Sequence, residues 1–136
     1  MKKVMAFGTF DLLHEGHRYF LGRAKQHGDF LFVVVARDET VRQVKGRLPQ
    51  HDENKRLSAV RGLEFVDDAV LGSIGGDKYE VIRKVRPDVI CLGYDQKAFT
   101  GNLRKFLEEK AIKSEVVRLK PYRPREFKTS LIKDKL

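Results

Sequence analysis

Residues 8–17 read Gly-Thr-Phe-Asp-Leu-Leu-His-Glu-Gly-His, and two of them, His14 and His17, stand three apart. On the first turn of a helix that spacing puts both imidazoles on one face. Gly8 permits a tight turn out of the preceding apolar residues and close backbone approach by a ligand. Gly16, between the histidines, leaves room for a phosphate or a ring against the main chain. A helix beginning here offers unpaired N–H groups and a positive dipole end, a natural seat for an anion. Two imidazoles at such a seat can donate to phosphoryl oxygens, and each preorganised donor is typically worth ~3 kcal/mol where charge develops. The plain alternative is a solvated helix start. A histidine pair directly after a glycine turn favours chemistry.

The elements that must position this pair follow from hydrophobic patterning. Residues 4–7, 30–36, 69–71, 89–92 and 115–119 read as strands, and the continuous apolar run 30–36 belongs to a parallel strand covered on both faces. Helical spacing covers 16–27, with Gly28 as its C-cap, and 54–65, with Asp52 as its N-cap. It recurs over 77–85 and over 100–111, with Thr100 as cap, and a short helix is expected from Lys128 onward. Strands alternating with helices predict an α/β domain: a Rossmann-like, doubly wound, parallel five-stranded sheet with helices on both faces. Residues 44–52 and 121–127 are basic, contain proline and read as exposed loops.

In such sheets ligands sit beyond the carboxyl ends of the strands, where the strand order reverses. Other loops expected at that edge therefore matter. Lys45 and Arg47 flank Gly46 after the second strand, as a phosphate-binding loop or a solvated one. Asp38, where that strand ends, could orient a phosphate or cap the next helix. Arg56 begins a helix, where a cation opposes the dipole, and this local conflict favours a ligand role. Gly93 and Asp95 follow the fourth strand, and Asp95 could accept from ribose hydroxyls or close a turn. The glycine-rich stretch 72–76 lacks the Lys-Ser/Thr pair of a P-loop and reads as a turn.

Composition narrows the function further. A length of 136 residues is one domain, spanning 1–136, with enough chain for a real core. No apolar run approaches the ~20 residues that cross a bilayer, and Gly8, Asp11 and His14 interrupt the opening stretch too early for a signal peptide. No membrane partner and a cytoplasmic location are expected. The single cysteine, Cys91, excludes an internal disulfide framework and reads as core. A formal net charge of +9, with seven basic against two acidic residues over 118–136, suggests a polyanionic partner. That partner is a phosphorylated small molecule or a nucleic acid. Against nucleic acid, the aromatics Phe7, Phe10, Phe30 and Phe32 fall in or beside expected strands rather than on a stacking platform. A third reading makes Asp11, His14 and His17 metal ligands of a hydrolase.

The segment GTFDLLHEGH resembles the HxGH signature of the nucleotidylyltransferase superfamily, specifically its small cytidylyltransferase-like enzymes. The likeness continues in order through residues 36–41 (ARDETV), 45–47 (KGR), 54–57 (NKRL), 65–68 (FVDD) and 92–96 (LGYDQ), so it covers essentially the whole chain. Within the superfamily the chain resembles archaeal-type FAD synthases most, and glycerol-3-phosphate cytidylyltransferases next.

The resemblance implies transfer of a nucleotidyl group from a nucleoside triphosphate to a phosphomonoester, with pyrophosphate leaving under Mg²⁺ assistance. ATP is favoured over CTP, and FMN is the favoured acceptor. It implies that Gly8, Thr9 and Phe10 hold the nucleotide and that His14 and His17 stabilise the transition state. Lys45 and Arg47 would close over phosphates, and Asp11, Asp38 and Arg56 would serve the substrate. Gly16, Gly93 and Asp95 would join the nucleotide site. So would Arg123, Thr129 and Ser130, which match a late family motif, although Glu126, Phe127 and Lys128 replace its usual lead-in. No protein-held metal site is implied. Small members are commonly homodimers.

Overall fold

The computed structural model describes residues 1–73, 79–93 and 102–120. Its elements run β1 (Lys3–Gly8), α1 (Glu15–Lys25), β2 (Phe30–Val35), α2 (Asp38–Lys45), α3 (Glu53–Arg61), β3 (Asp68–Leu71), α4 (Glu80–Val85), β4 (Val89–Leu92), α5 (Leu103–Glu109) and β5 (Glu115–Arg118). The five strands form one sheet in the order β3-β2-β1-β4-β5, and every pairing is parallel. The expected sheet is therefore present.

Side-chain alternation along β1 builds the core on both faces. Val4 and Ala6 point into a cluster with Leu21 and Ala24 of α1 and Val60 of α3. Met5 and Phe7 point the other way, into a cluster with Ile82 of α4 and Leu103 and Leu107 of α5. Cys91 of β4 is fully buried in the first cluster.

The order also fixes where a ligand can enter. From β1 the chain winds outward through β2 to β3, then returns to lay β4 on the other side of β1. The crevice beyond the carboxyl ends of β1 and β4 is thus the switch point of a doubly wound sheet. Strand ends are level there: Gly8 pairs with Val35, Val35 with Leu71, and the Ala36 N–H donates to the Gly8 carbonyl at 2.9 Å.

Several boundaries differ from expectation. Helix α2 is absent from the sequence reading because Val41 is its one buried residue, so it carries no apolar stripe. Helix α1 stops at Lys25 with Gln26 as a right-handed C-cap, which displaces Gly28 from that role. Gly28 is needed for close approach instead, since a Cβ there would lie 2.7 Å from the Lys2 carbonyl oxygen. Asp52 does cap α3, its Oδ1 accepting the Lys55 N–H at 2.8 Å. Thr100 and the helix expected from Lys128 lie outside the described residues. Among the described residues no helix is long and apolar enough to cross a membrane.

Candidate active site

Between β1 and α1 the chain turns sharply. Phe10 and Leu12 both take left-handed backbone conformations, with φ of 55° and 54°. Such conformations cost roughly 1–2 kcal/mol each for residues with a side chain, so tertiary contacts must enforce them. The Phe10 ring, 4% exposed, is buried in the first core cluster. Gly8 makes that packing possible: a Cβ on Gly8 would sit 2.6 Å from Cζ of Phe10. Phe10 therefore presents its ring to the protein, and any contact it makes with a nucleotide is through its main chain.

The turn delivers His14 as the N-cap of α1. Its Nδ1 accepts the Gly16 N–H at 3.0 Å, while its own N–H donates to Nδ1 of His17 at 3.3 Å. This is a reciprocal capping box in which two imidazoles replace the usual hydroxyl and carboxylate. The rings stack with centroids 3.9 Å apart and planes 25° from parallel. Phe10 meets the His17 ring edge-on at 5.7 Å. Gly16 has no side chain because one would collide with the cap: a Cβ there would lie 2.9 Å from Cε1 of His14.

Accepting a backbone N–H at Nδ1 puts each neutral ring's proton on Nε2. The electrostatics keep both rings neutral. Burial pushes the His14 pKa down. Burial also leads in pushing His17 down to about 4, helped by the repulsion the two rings would feel if both were protonated and by the Lys45 charge, and opposed by Asp11. Both histidines are only partly buried. The site therefore holds two preset N–H donors that carry no charge at neutral pH.

Lys45 and Arg47 come from the end of α2 and the loop after it, which Gly46 opens with a left-handed φ of 79°. With Thr9, Asp11, Leu48 and Gln50 they line a cavity of about 190 Å³. The chain thus brings Thr9, Asp11, Lys45 and Arg47 together around one hollow, and Lys45 is close enough for its charge to be felt at His17. A larger hollow of about 540 Å³ opens between α5 and the amino end of β5. It lies at the edge of the sheet away from the strand exits.

The other expected site residues are placed differently. Both carboxylate oxygens of Asp11 accept main-chain N–H groups, from Gln50 at 2.8 Å and His51 at 3.0 Å. Arg56, 1% exposed, donates to the carbonyls of His51 at 3.0 Å and Thr9 at 2.8 Å, and to Oδ1 of Asp38 at 2.7 Å. Gly93 follows β4, and its carbonyl accepts from Arg118 at 2.7 Å. Asp95, Arg123, Thr129 and Ser130 lie outside the described residues.

Two residues that sequence reasoning passed over hold α2 in place. Arg37 donates from Nε to the Gly72 carbonyl at 2.7 Å and pairs through Nη1 with Glu53 at 3.1 Å. The second oxygen of Glu53 accepts the Asp38 N–H at 2.9 Å, capping α2 from α3. Nothing local in the sequence signals this network, since its partners are 15 to 35 residues apart.

Residues 5–135 match the model of a family described as cytidylyltransferase-like. The FAD synthase of Thermococcus onnurineus is 45% identical over 132 residues, covering 96% of this chain and 87% of its own length. That of Thermoplasma acidophilum is 41% identical over 136 residues, covering 100% of this chain and 94% of its own. A crystal structure from Thermoplasma volcanium, described as a lipopolysaccharide core biosynthesis protein, superposes with a TM-score of 0.84 at 44% identity. It covers 90% of this chain and 98% of that one.

Proposed function

The chain belongs to the cytidylyltransferase-like family, and on that premise we propose that it is an FMN adenylyltransferase, making FAD and pyrophosphate from ATP and FMN. A phosphate oxygen of FMN attacks the α-phosphorus of ATP, and the bond from that phosphorus to the pyrophosphate oxygen breaks. The acceptor's own phosphate is the nucleophile, so no covalent enzyme intermediate is needed. Catalysis reduces to alignment and to stabilising charge on the transferred and departing phosphates.

The observation that carries the reaction class is the stacked, neutral His14–His17 pair at the head of α1. Its two Nε2–H groups are fixed by the capping box before any ligand arrives, so no reorganisation is needed at the moment of transfer. The α1 N-terminus adds a positive dipole end, and Lys45 and Arg47 add full charges. The choice of ATP and FMN is supported by relatives that are FAD synthases at 41–45% identity over nearly the full chain.

Mg²⁺ enters this reading as part of the nucleotide, carried on its phosphates. Among the described residues no group of three or more His, Cys, Asp or Glu is arranged to hold a metal ion, and both oxygens of Asp11 are occupied by N–H groups. We also propose, from the motifs these residues match, that Asp95 serves the ribose and Arg123, Thr129 and Ser130 serve phosphate. We further propose one domain over 1–136, a homodimer and a cytoplasmic location; sedimentation tests the dimer.

The deciding assay measures pyrophosphate release with ATP or CTP, each crossed with FMN or glycerol 3-phosphate. ATP with FMN should be the productive pair. Release from another pair, with none from ATP and FMN, would overturn the assignment.

A further inference from the structure

Arg56 contributes a charge at a place no substrate can reach. Its guanidinium is buried, yet each of its three nitrogens has a partner: His51 O on Nε, Thr9 O on Nη1 and Asp38 Oδ1 on Nη2. Asp11 is engaged from the other side, taking the N–H groups of Gln50 and His51. One residue, His51, is thus gripped at both ends of its main chain, at N–H by Asp11 and at C=O by Arg56. The same arginine holds the carbonyl of Thr9, two residues before Asp11. The contacts close a ring through Thr9, Asp11, His51 and Arg56, tying the turn after β1 to the end of the loop 46–52.

We infer that Asp11 and Arg56 are positioning residues, a two-point clamp on His51 that holds the loop carrying Arg47 against the exit of β1. For Arg56 the alternative, direct contact with substrate, conflicts with its burial; Asp11 borders the hollow, and each of its oxygens accepts a main-chain N–H of the loop. A carboxylate facing a triphosphate would also repel it, whereas the Asp11 charge is turned onto two main-chain N–H groups of the loop. The clamp further explains how the left-handed turn at Phe10 and Leu12 is sustained. Thr9 before it is tied to Arg56 of α3, and Asp11 within it to the loop at Gln50 and His51. The loop itself divides in two: Gln50 and His51 are fixed, whereas residues 46–48, which begin at the left-handed Gly46, are exposed. Fixing one end sets where Arg47 stands, and a displacement of about 1 Å at a reacting site can cost about a hundredfold in rate.

This inference rests on the nucleotidyl-transfer reading for its kinetic consequence but not for its structural one, and the test separates them. Asp11→Asn replaces one accepting oxygen with an amide that faces a backbone N–H; Arg56→Lys keeps the charge but cannot span three acceptors. The first readout is tryptic cleavage of the native protein at the Arg47–Leu48 bond, followed by mass. Asp11→Asn should speed it by about tenfold or more while the fold stays cooperative. The second readout is the cost of Arg47→Ala in two backgrounds. It should raise the KM for ATP about tenfold in the parent and less than about twofold in Asp11→Asn, because a misplaced Arg47 has little left to lose. Cleavage no faster than in the parent, or an Arg47→Ala penalty undiminished by Asp11→Asn, would overturn the clamp. Should ATP and FMN give no pyrophosphate while cleavage accelerates, the substrate reading falls and the clamp stands. Arg56→Lys should match Asp11→Asn in the cleavage assay; if Asp11→Asn alone folds, it decides the matter.

Discussion

The N–H of His14 donates to Nδ1 of His17 at 3.3 Å while their rings lie 3.9 Å apart, so the pair is locked by the same contacts that start the helix. Cap and candidate active site are one structure. His17→Ala should lower kcat by about a hundredfold or more. His14→Ala should do likewise and also remove the cap, a loss of about 1 kcal/mol. His14→Asn separates the two roles, because asparagine caps well but places no donor where Nε2 stands. Its thermal midpoint should stay near the parent's while its turnover falls with that of His14→Ala. Recovery of turnover in His14→Asn would mean that the imidazole acts only as a cap.

Low pH should weaken the fold through His17. Its pKa is held at about 4 in the folded chain, first by burial, against an ordinary value of 6.5. Between those values the unfolded chain binds the extra proton, so stability is intact above 6.5 and falls as the pH drops toward 4. Thermal midpoints across that window, together with an NMR titration of the His17 ring, check this. Lys45→Ala removes one of the charges that depress the value and should move the midpoint upward. A midpoint already at 6.5 in the parent would contradict the site's electrostatics.

The two glycines of the motif should fail in different ways. A methyl at Gly16 meets Cε1 of His14 at 2.9 Å, so Gly16→Ala should displace the ring and cost turnover. A methyl at Gly8 meets the buried Phe10 ring at 2.6 Å, so Gly8→Ala should cost about 1–3 kcal/mol of stability, as overpacking does. Urea unfolding beside steady-state kinetics separates the two outcomes.

Much of this architecture is legible without coordinates. Continuous apolar runs at 30–36 and 89–92 announce buried parallel strands, and the glycine turn before two spaced histidines announces the ligand edge. What patterning misses has a physical cause. Helix α2 is held by Glu53 on its first N–H and by Arg37 on the β3 exit, and contacts of that span leave no periodicity. Arg56 looks like a misplaced cation at a helix start. The carbonyls that satisfy it come from residues 9 and 51, which only the fold brings together. The histidine pair is the reverse case: sequence foresees the shared face but not that the two rings cap the helix themselves.

Cys91 should be chemically silent in the native protein. It is fully buried, and burial, with a smaller push from Glu115, raises its thiol pKa to about 12. A maleimide should label it only after denaturation. Labelling of the folded chain at neutral pH would mean that β4 opens more readily than its packing implies.

The most direct trial of the central claim is a crystal structure with a non-hydrolysable ATP analogue. The triphosphate should lie within hydrogen-bonding distance of Nε2 of both His14 and His17, at the head of α1 and beside Lys45. A nucleotide seated elsewhere, or phosphates that leave both imidazoles untouched, would contradict the account.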